Sequence, residues 1–346
     1  MKKIFWILPI AILVILSCTK KDEPAAEAAP AKKTTLETVK ERGAIKCGIN
    51  TGLAGFASPD SNGNWTGLDI DICRAVSAAV FGDDTKIEYV SLSAQQRFTA
   101  LQSGEVDMLA RNTTWTQQRD TALGLNFAPV NYYDGQGFMV KKSSGIKTKA
   151  DLAGTTICVQ SGTTTELNLA DFFRAENMEY TPVVIENKDE SIASYFSGRC
   201  DSYTTDASGL AAERTKAENP ADHEILSFLI SKEPLAPAVR HGDDQWFDIV
   251  AWSVNAMINA EELGLTSENI DSFASTTNPG IQRILDNELG AQMGLDNKWA
   301  YNVVKLVGNY GESYQRNVGV GTPLNLGRGM NELWSKGGIL YAPPLR

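Results

Sequence analysis

Histidine is almost absent from this sequence of 346 residues, which contains only His223 and His241. Neither lies in the sequence context of a nucleophilic serine, and both are interpreted as surface or turn residues. The patterns GxxxxGK, GxGxxG, CxxC and HExxH are absent as well. These absences argue against a nucleotide site, a metal site and acid–base catalysis by histidine. We therefore expect no metal, no cofactor and no enzymatic activity.

Long apolar runs are also lacking, because the most marked one, residues 4–16, is too short to span a bilayer comfortably. It follows two lysines and predicts a signal peptide over residues 1–17. The run ends in Ile-Leu-Ser-Cys, which resembles a lipobox, so Cys18 is expected to carry a lipid. A plain signal peptide with an incidental cysteine is the alternative. Residues 18–34 are rich in Ala, Pro, Lys and Glu and predict a flexible, lipidated tether.

Basic patches are missing from the remainder of the chain. The formal net charge is −10, and it becomes more negative once the signal peptide with its two lysines is removed. An acidic domain without a basic run argues against nucleic acid as a partner.

Cysteine is scarce but evenly distributed. Apart from the one in the lipobox, the cysteines are Cys47, Cys73, Cys158 and Cys200, two in each half. An even number of cysteines in an extracytoplasmic domain favours disulfides. We expect bridges from Cys47 to Cys73 and from Cys158 to Cys200, with four buried free thiols as the alternative.

From residue 44 onward, strand-like runs alternate with helical runs, a pattern typical of sheets covered by helices. Ser93 and Gln96, for example, form the capping box of one predicted helix. The alternation is interrupted at residues 135–142 and again near residues 238–240. We interpret both interruptions as crossings between two lobes.

The sequence thus predicts an α/β fold with two lobes, each a sheet flanked by helices, joined by two crossing segments. Residues 35–139 are expected to begin lobe I and residues 140–239 to form lobe II. Residues 240–346 are expected to return to lobe I and to add a C-terminal extension. A cleft between two such lobes is a preferred place for a ligand.

Polar side chains follow three predicted strands where these should reach the cleft. The first group, residues 111–119, contains Asn112, Thr114 and Arg119. The guanidinium of Arg119 can grip a carboxylate through two hydrogen bonds and stays charged when desolvated, whereas a surface ion pair is its alternative role. Trp115 in the same segment could pack on a ligand or on the rim of the cleft.

The second and third groups lie in the second series of strands. Thr163 and Glu166 predict a capping box, and the first-turn amides of that helix, which include the one of Thr164, remain free for an anion. The third group ends at Asp206, which either caps the following helix or supplies the anion that an α-ammonium group needs. The three groups together predict a site for a small zwitterion.

A family resemblance is carried by residues 67–76, 97–107, 162–167, 198–201 and 328–344. These stretches resemble the polar amino-acid-binding proteins of ABC importers, family 3 of the periplasmic solute-binding proteins, and the last one resembles the general L-amino-acid-binding branch in particular. The resemblance covers nearly all of the chain beyond the tether. It implies the two-lobed periplasmic-binding-protein, or Venus flytrap, fold.

The resemblance also implies roles for the polar groups. Arg119, with Thr114 and Thr163 or Thr164, would hold the α-carboxylate of an amino acid, and Asp206 would hold its α-ammonium group. The loop after the first strand reads Leu-Ala-Gly-Phe over residues 53–56, whereas many relatives stack an aromatic ring on the ligand there. This departure leaves the side-chain pocket unassigned and favours broad specificity.

The implied function is capture of free L-amino acids in the periplasm and their delivery to an inner-membrane ABC permease. The protein would act as a monomer and would touch the membrane only through the lipid on Cys18. Two other functions remain open on the same scaffold, namely an envelope enzyme such as a cyclohexadienyl dehydratase and a sensor domain without a transporter.

Overall fold

The computed structural model describes residues 33–346. The predicted signal peptide, the lipidated Cys18 and nearly all of the tether lie outside the described residues. The strands are β1 Ile45–Asn50, β2 Ser58–Pro59, β3 Trp65–Thr66, β4 Ile87–Leu92, β5 Met108–Leu109, β6 Leu125–Phe127, β7 Tyr132–Asp134, β8 Gln136–Lys141, β9 Thr156–Gln160, β10 Thr181–Ile185, β11 Ser202–Asp206, β12 His223–Ile225, β13 Glu233–Leu235 and β14 Ala238–Arg240.

The α-helices pack against the sheets or against one another. They are α1 Thr35–Arg42, α2 Leu68–Phe81, α3 Gln96–Ser103, α4 Thr164–Ala175, α5 Lys188–Phe196, α6 Ala207–Arg214, α7 Asp244–Glu262, α8 Pro279–Leu285, α9 Trp299–Val307 and α10 Tyr310–Asn317. The part of the chain that the structure describes also contains a π-helical turn, Gln118–Ala122, and several short 3₁₀ turns. Within residues 33–346, no helix has the length and apolarity that crossing a membrane requires.

The first lobe is built on a five-stranded sheet with the order β4-β1-β5-β14-β6. β1 pairs in parallel with β4 and β5, whereas β14 pairs antiparallel with β5 and β6. β1 is buried along almost its whole length, as expected for a central parallel strand. The carboxyl ends of β1 and β5 meet at one edge of this sheet, which is where ligands favour α/β sheets.

The second lobe repeats this arrangement with the order β10-β9-β11-β8-β12. β9 is parallel to β10 and β11, and β8 is antiparallel to β11 and β12. The carboxyl ends of β9 and β11 place Gln160 and Asp206 at the corresponding edge.

The chain passes between the sheets through an antiparallel ribbon formed by β7 and β13, in which Tyr132 pairs with Leu235 and Asp134 with Glu233. The crossings therefore lie a few residues before the positions expected from the sequence. β8, part of which the sequence assigned to the first lobe, belongs to the second sheet, and β14 belongs to the first. The sequence could not separate a strand that crosses from one that stays, because both show a similar pattern of apolar residues.

Helix α2 shows how the sequence sets local structure in the first lobe. Its start follows Gly67, whose φ is 136° and whose position would bring a Cβ within 2.0 Å of the Phe56 carbonyl oxygen. Ile72 and Val76, four residues apart on one face of the helix, are both buried, and the helix ends at Gly82 in the left-handed conformation, φ 64°. Only glycine fits at the first of these positions without a shift of the backbone.

The C-terminal third packs on the first lobe. Helices α7 and α9 contact α2, and their large side chains Trp246 and Trp299 are each only 1% exposed. Nε1 of Trp246 donates to the carbonyl oxygen of Asp107 at 3.0 Å, which joins α7 to the strand region that precedes the cleft. These helices enlarge the apolar core beneath the first sheet.

The four cysteines of the described chain lie in pairs. Cys47 and Cys73 join β1 to α2, with an S–S distance of 2.14 Å, and Cys158 and Cys200 join β9 to the segment just before β11, with 1.96 Å. Each lobe thus holds one bridge, in the pairing that the sequence predicts. Each bridge is anchored in a central strand, β1 in the first lobe and β9 in the second, and the carboxyl end of each of these strands reaches the cleft.

Candidate functional site

A cavity of about 40 Å³ lies between the two lobes, at the carboxyl ends of their parallel strands. Its wall is mostly polar. The first lobe contributes Asn50, Leu53, Arg97, Arg111, Asn112 and Thr114, and the second contributes Gln160, Thr163, Thr164, Thr165, Lys188, Tyr203, Thr205, Asp206, Gly209 and Glu213. A small space with such a wall suits a small, charged ligand better than a large apolar one.

Asp206 ends β11 and lines the cavity, and only 7% of it is exposed. Its side chain does not cap α6, so the capping role that the sequence left open is not seen. Within residues 33–346 its carboxylate accepts no hydrogen bond. Burial raises the pKa of Asp206 well above its usual value, and the neighbouring Asp134 and Glu233 raise it further. A buried carboxylate without donors favours a cationic partner from outside the protein.

Arg119 lies in the π-helical turn after β5 and is 7% exposed. Its Nη1 donates to the Thr114 carbonyl oxygen at 2.8 Å, and its guanidinium lies 5.0 Å from the centre of the Phe98 ring. Burial lowers its pKa to about 10, whereas the charges of Glu233 and Asp206 act in the opposite direction. Arg119 is therefore charged at neutral pH and within electrostatic range of Asp206, although it is not among the residues that line the cavity.

The threonine hydroxyls have protein partners, which changes their predicted role. Thr114 and Thr164 both donate to the carboxylate of Glu233, at 2.6 and 2.8 Å. Glu233 also accepts from Asn168 and Ser231, each at 2.6 Å. Because Glu233 belongs to the crossing strand β13, one buried carboxylate ties the crossing ribbon to both lobes.

The N-terminus of α4 keeps backbone donors free. The Thr163 hydroxyl accepts from the Glu166 amide at 3.2 Å, as the predicted capping box requires. The Glu166 carboxylate, however, accepts from the Gly162 amide at 2.9 Å, so the reciprocal half of the box differs from the prediction. The first two amides of the helix, those of Thr164 and Thr165, have no acceptor within the helix, and both residues line the cavity.

Asn112 is placed in the cavity wall by its backbone. Its φ is 34°, and its amide donates to the buried Asp69 at 2.7 Å. Its side-chain oxygen accepts from Nδ2 of Asn50 at 2.9 Å, so the two asparagines form one polar edge. Trp115, in contrast, is 42% exposed, stacks on Phe127 with ring centres 5.8 Å apart and is not among the residues that line the cavity.

The lobes touch each other across the cavity. Nζ of Lys188, in the second lobe, donates to the Gly52 carbonyl oxygen of the first lobe at 2.5 Å and to Glu213 at 2.8 Å. Nε2 of Gln95 donates to the Ser161 hydroxyl at 2.9 Å. These contacts form a closed arrangement of the two lobes.

Sequence reasoning missed several cavity residues, including Arg97, Lys188 and Glu213. The sequence did contain a signal for Arg97. It lies four positions before the buried Leu101 and therefore on the buried face of α3, where a charged residue is unusual. Lys188 and Glu213 had none, since each lies at an ordinary place for a charged residue in its helix. They reach the cavity only because α5 and α6 pack beside β9 and β11.

The two histidines lie outside the cavity wall. His223 is 8% exposed and shares a hydrogen bond of 2.8 Å with the hydroxyl of Tyr195, so the surface role expected from the sequence is wrong for this residue. Among the described residues there is no cluster of three or more His, Cys, Asp or Glu side chains that could hold a metal ion.

Comparison with known proteins places this geometry among binding proteins. Residues 45–269 match the family described as bacterial extracellular solute-binding proteins, family 3. The chain is 59% identical over 326 residues to the general L-amino acid-binding periplasmic protein AapJ of Rhizobium johnstonii, which covers 93% of this chain and 96% of the relative. It is 54% identical over 325 residues to the glutamate/glutamine/aspartate/asparagine-binding protein BztA of Rhodobacter capsulatus, with shares of 93% and 96%.

A solved structure shows the same fold over nearly the whole chain. It is an ABC transporter periplasmic binding protein from Brucella ovis with glutathione bound, 54% identical to this chain. The two superpose with a TM-score of 0.89, and the match covers 91% of this chain and 100% of the other.

Proposed function

The chain belongs to family 3 of the bacterial extracellular solute-binding proteins, and we propose that it captures free L-amino acids in the periplasm for an ABC transporter. The family and the two-lobed fold predicted from the sequence are thereby confirmed. The relatives bear the names of binding proteins, and we propose that this chain likewise binds without catalysis. Broad specificity is proposed by analogy with the relative named for general L-amino acid binding.

One observation carries the proposal for amino acids. Asp206 presents a buried carboxylate without hydrogen-bond donors to the cavity, while buried guanidinium groups lie on the opposite lobe. A free amino acid offers an ammonium group for the first and a carboxylate for the second. Opposite charges held apart on two lobes therefore suit a zwitterion.

In the proposed mechanism, each lobe binds a different part of the ligand or completes its hydrogen bonds. Arg119 attracts the α-carboxylate, and the first amides of α4, at Thr164 and Thr165, complete its hydrogen bonds. The Thr114 and Thr164 hydroxyls donate to Glu233. We therefore propose that these hydroxyls hold the two sides of the cavity in place, whereas the α4 amides and the Arg119 guanidinium bind the ligand.

Closure follows from contacts that exist only when the lobes meet. Binding drives closure to the extent that the closed state interacts better with the ligand. Asp206 and the α4 amides come from the second lobe and Arg119 from the first, so a bound amino acid bridges them. A micromolar Kd corresponds to about 8 kcal/mol, which such a two-ended clamp can supply.

The location of the protein in the envelope is also a proposal. We place it in the periplasm, tethered by a lipid on Cys18, as a monomer that docks on an inner-membrane ABC permease. Radiolabelled palmitate incorporation into the wild type and into Cys18→Ala tests the lipid, because only the wild type should be labelled.

A γ-glutamyl peptide is a second candidate ligand, favoured by the glutathione bound to the Brucella ovis protein. The γ-linkage of glutathione leaves the α-ammonium and α-carboxylate groups of its glutamyl residue free. The same clamp could therefore hold either a free amino acid or such a peptide.

A thermal-shift screen against the twenty L-amino acids and glutathione tests the function. We expect several amino acids to raise the Tm by some degrees, because ligand at about 1000 times its Kd stabilises the folded state by about 4 kcal/mol. A response to glutathione alone would favour the second candidate. A response to none of these compounds would contradict the proposal, and turnover of prephenate or arogenate would point to an enzyme.

Lowering the pH should weaken binding of alanine. Asp206 has a raised pKa in the free protein, and a bound ammonium group would lower that pKa through its opposite charge. Binding therefore releases a proton, so the affinity is full above the pKa of the free protein and falls as the pH drops through it. Calorimetry of alanine binding from about pH 8 to about pH 5, in two buffers of different ionisation enthalpy, measures both effects. A flat profile without proton release would contradict the role of Asp206.

A further inference from the structure

The first crossing strand changes partners between two successive residues. The carboxylate of Asp134 accepts hydrogen bonds from the amide and the hydroxyl of Ser208, and the carbonyl oxygen of Gly135 accepts from the Ala207 amide at 2.8 Å. Both partners lie at the start of α6, in the second lobe. Tyr133, directly before Asp134, is bound instead by the C-terminal part of the chain, which packs on the first lobe.

The second crossing strand changes partners at the same level of the ribbon. The carbonyl oxygen of Pro234 accepts from the Trp115 amide of the first lobe at 2.8 Å. The carboxylate of Glu233, one residue earlier, accepts from two side chains of α4 in the second lobe as well as from one in the first. In the ribbon Pro234 faces Tyr133 and Glu233 faces Asp134. Both strands therefore pass from one lobe to the other between these two facing pairs.

The last residue on the first-lobe side, Tyr133, is held by the side chain of Asn331. Oδ1 of Asn331 accepts from the Tyr133 amide at 2.7 Å, and Nδ2 donates to the Tyr133 carbonyl oxygen at 3.1 Å. Tyr133 faces Pro234, which has no N–H group, and alternate residues of an antiparallel strand turn their backbone groups away from the partner strand. The side-chain amide of Asn331 therefore takes the place of a neighbouring strand at this residue.

Asn331 is itself buried and fixed to the first lobe. It is 4% exposed and ends a short 3₁₀ turn, Gly329–Asn331. Its carbonyl oxygen accepts from Nε of Arg328 at 2.9 Å, and Arg328 forms an ion pair with Glu261 of α7 at 3.1 Å. The amide that holds the crossing strand is therefore positioned before any ligand binds.

Helix α10 holds the two residues before Tyr133. The hydroxyl of Tyr310 donates to the Asn131 carbonyl oxygen at 2.7 Å, and the ring of Tyr314 stacks on that of Tyr132 with centres 6.1 Å apart. Both α10 and the 3₁₀ turn lie beyond the part of the chain that matches the family. The additional C-terminal length thus holds three successive residues of the first crossing.

We propose that residues 310–331 fix the pivot of lobe closure, with Asn331 as the positioning residue that keeps the pivot between Tyr133 and Asp134. A hinge consists of a few residues that absorb the rotation. While Tyr133 is held, the rotation is confined to the bonds between the two facing pairs, and the lobes close along one path. Without Asn331, Tyr133 becomes a further flexible residue, which closure must order again. The effect on affinity rests on the proposed function, whereas the pivot is a property of the ligand-free protein.

Small-angle X-ray scattering of Asn331→Leu tests the pivot. Leucine fills a similar volume but forms neither hydrogen bond, so the ligand-free variant should have a larger radius of gyration than the ligand-free wild type. Saturating alanine should bring both proteins to the same value, because the contacts of the closed lobes remain. Calorimetry should show the affinities for alanine, glutamate and glutamine lowered by one common factor of about 10, since one further residue is ordered on closure.

Asn287→Leu is the matched control. Asn287 is 5% exposed, and its side-chain oxygen accepts from the Leu289 amide at 3.0 Å within its own turn. Both variants should lower the Tm, because each loses a buried hydrogen-bonding group, but only Asn331→Leu should change the scattering and the affinities. Equal radii of gyration for the ligand-free wild type and Asn331→Leu would overturn the proposal.

Amide hydrogen exchange of the wild type supplies a second measurement. Followed by NMR without ligand, the Tyr133 amide should exchange slowly, since its bond to Asn331 does not depend on closure. If that amide exchanged as fast as an exposed one and slowed only with ligand, the bond would form on closure and the proposal would be wrong. If the wild type bound no amino acid, the proposed function would fail, while scattering and exchange would still decide the role of Asn331.

Discussion

Replacing Asp206 with alanine should lower the affinity for every amino-acid ligand by about 1000-fold, which corresponds to about 4 kcal/mol. The loss is general because the α-ammonium group is common to all of these ligands. Its size follows from burial, since Asp206 is 7% exposed and the cavity wall offers the ammonium group no other carboxylate without partners. Calorimetric titration with alanine, glutamate and glutamine measures it.

Asp201 supplies a matched control for this variant. It lies just before the opposite end of β11, where its carboxylate accepts from the amide and hydroxyl of Thr156 at 2.8 and 2.6 Å. Asp201→Ala should leave all affinities within about threefold of the wild type. If Asp206→Ala weakened only one of the three ligands, Asp206 would contact a side chain and the ammonium assignment would be wrong.

Arg119→Lys should lower the affinity for all amino acids by about 100-fold, and Arg119→Met by more. Lysine keeps the charge but cannot reproduce the fork that binds a carboxylate with two hydrogen bonds, and its shorter reach would also release the Thr114 carbonyl oxygen. Arg174→Lys is the control, because Arg174 is exposed on α4, where it forms an ion pair with Asp171.

The ligand-free Tm of the Arg119 variants separates binding from folding. Loss of the Thr114 contact alone should cost about 1 to 2 kcal/mol of stability. A general loss of affinity with a small fall in Tm supports the carboxylate role. An unchanged affinity for alanine would show that Arg119, which is not among the residues that line the cavity, serves only to hold Thr114.

Much of the architecture was predictable because each local signal agrees with the fold. The alternation of strand and helix patterns predicts two covered sheets, and the Ser93–Gln96 capping box is present with both of its hydrogen bonds, at 3.1 and 3.2 Å. The even division of cysteines predicts one bridge in each lobe. The first two features are local in sequence, and the third depends only on the number and position of the cysteines. All three can be predicted without knowing how distant segments pack.

The remaining parts of the site depend on contacts between distant segments. Glu233 stands beside a proline in an irregular stretch, and only the ribbon of β7 and β13 brings it to Thr114 and Thr164, which lie 119 and 69 residues away. Lys188 meets Gly52 across 136 residues. Such pairs arise from the closure of two lobes, for which a single sequence carries no periodic signal.

The most direct test of the zwitterion clamp is calorimetric titration of the wild type with alanine, N-acetylalanine and alaninamide. The first compound has both charged α-groups, the second lacks the ammonium group and the third lacks the carboxylate. Alanine should bind, and each derivative should bind at least about 100-fold more weakly, because each leaves Asp206 or Arg119 buried without its partner. Equal binding of all three compounds would contradict a site built from these two residues.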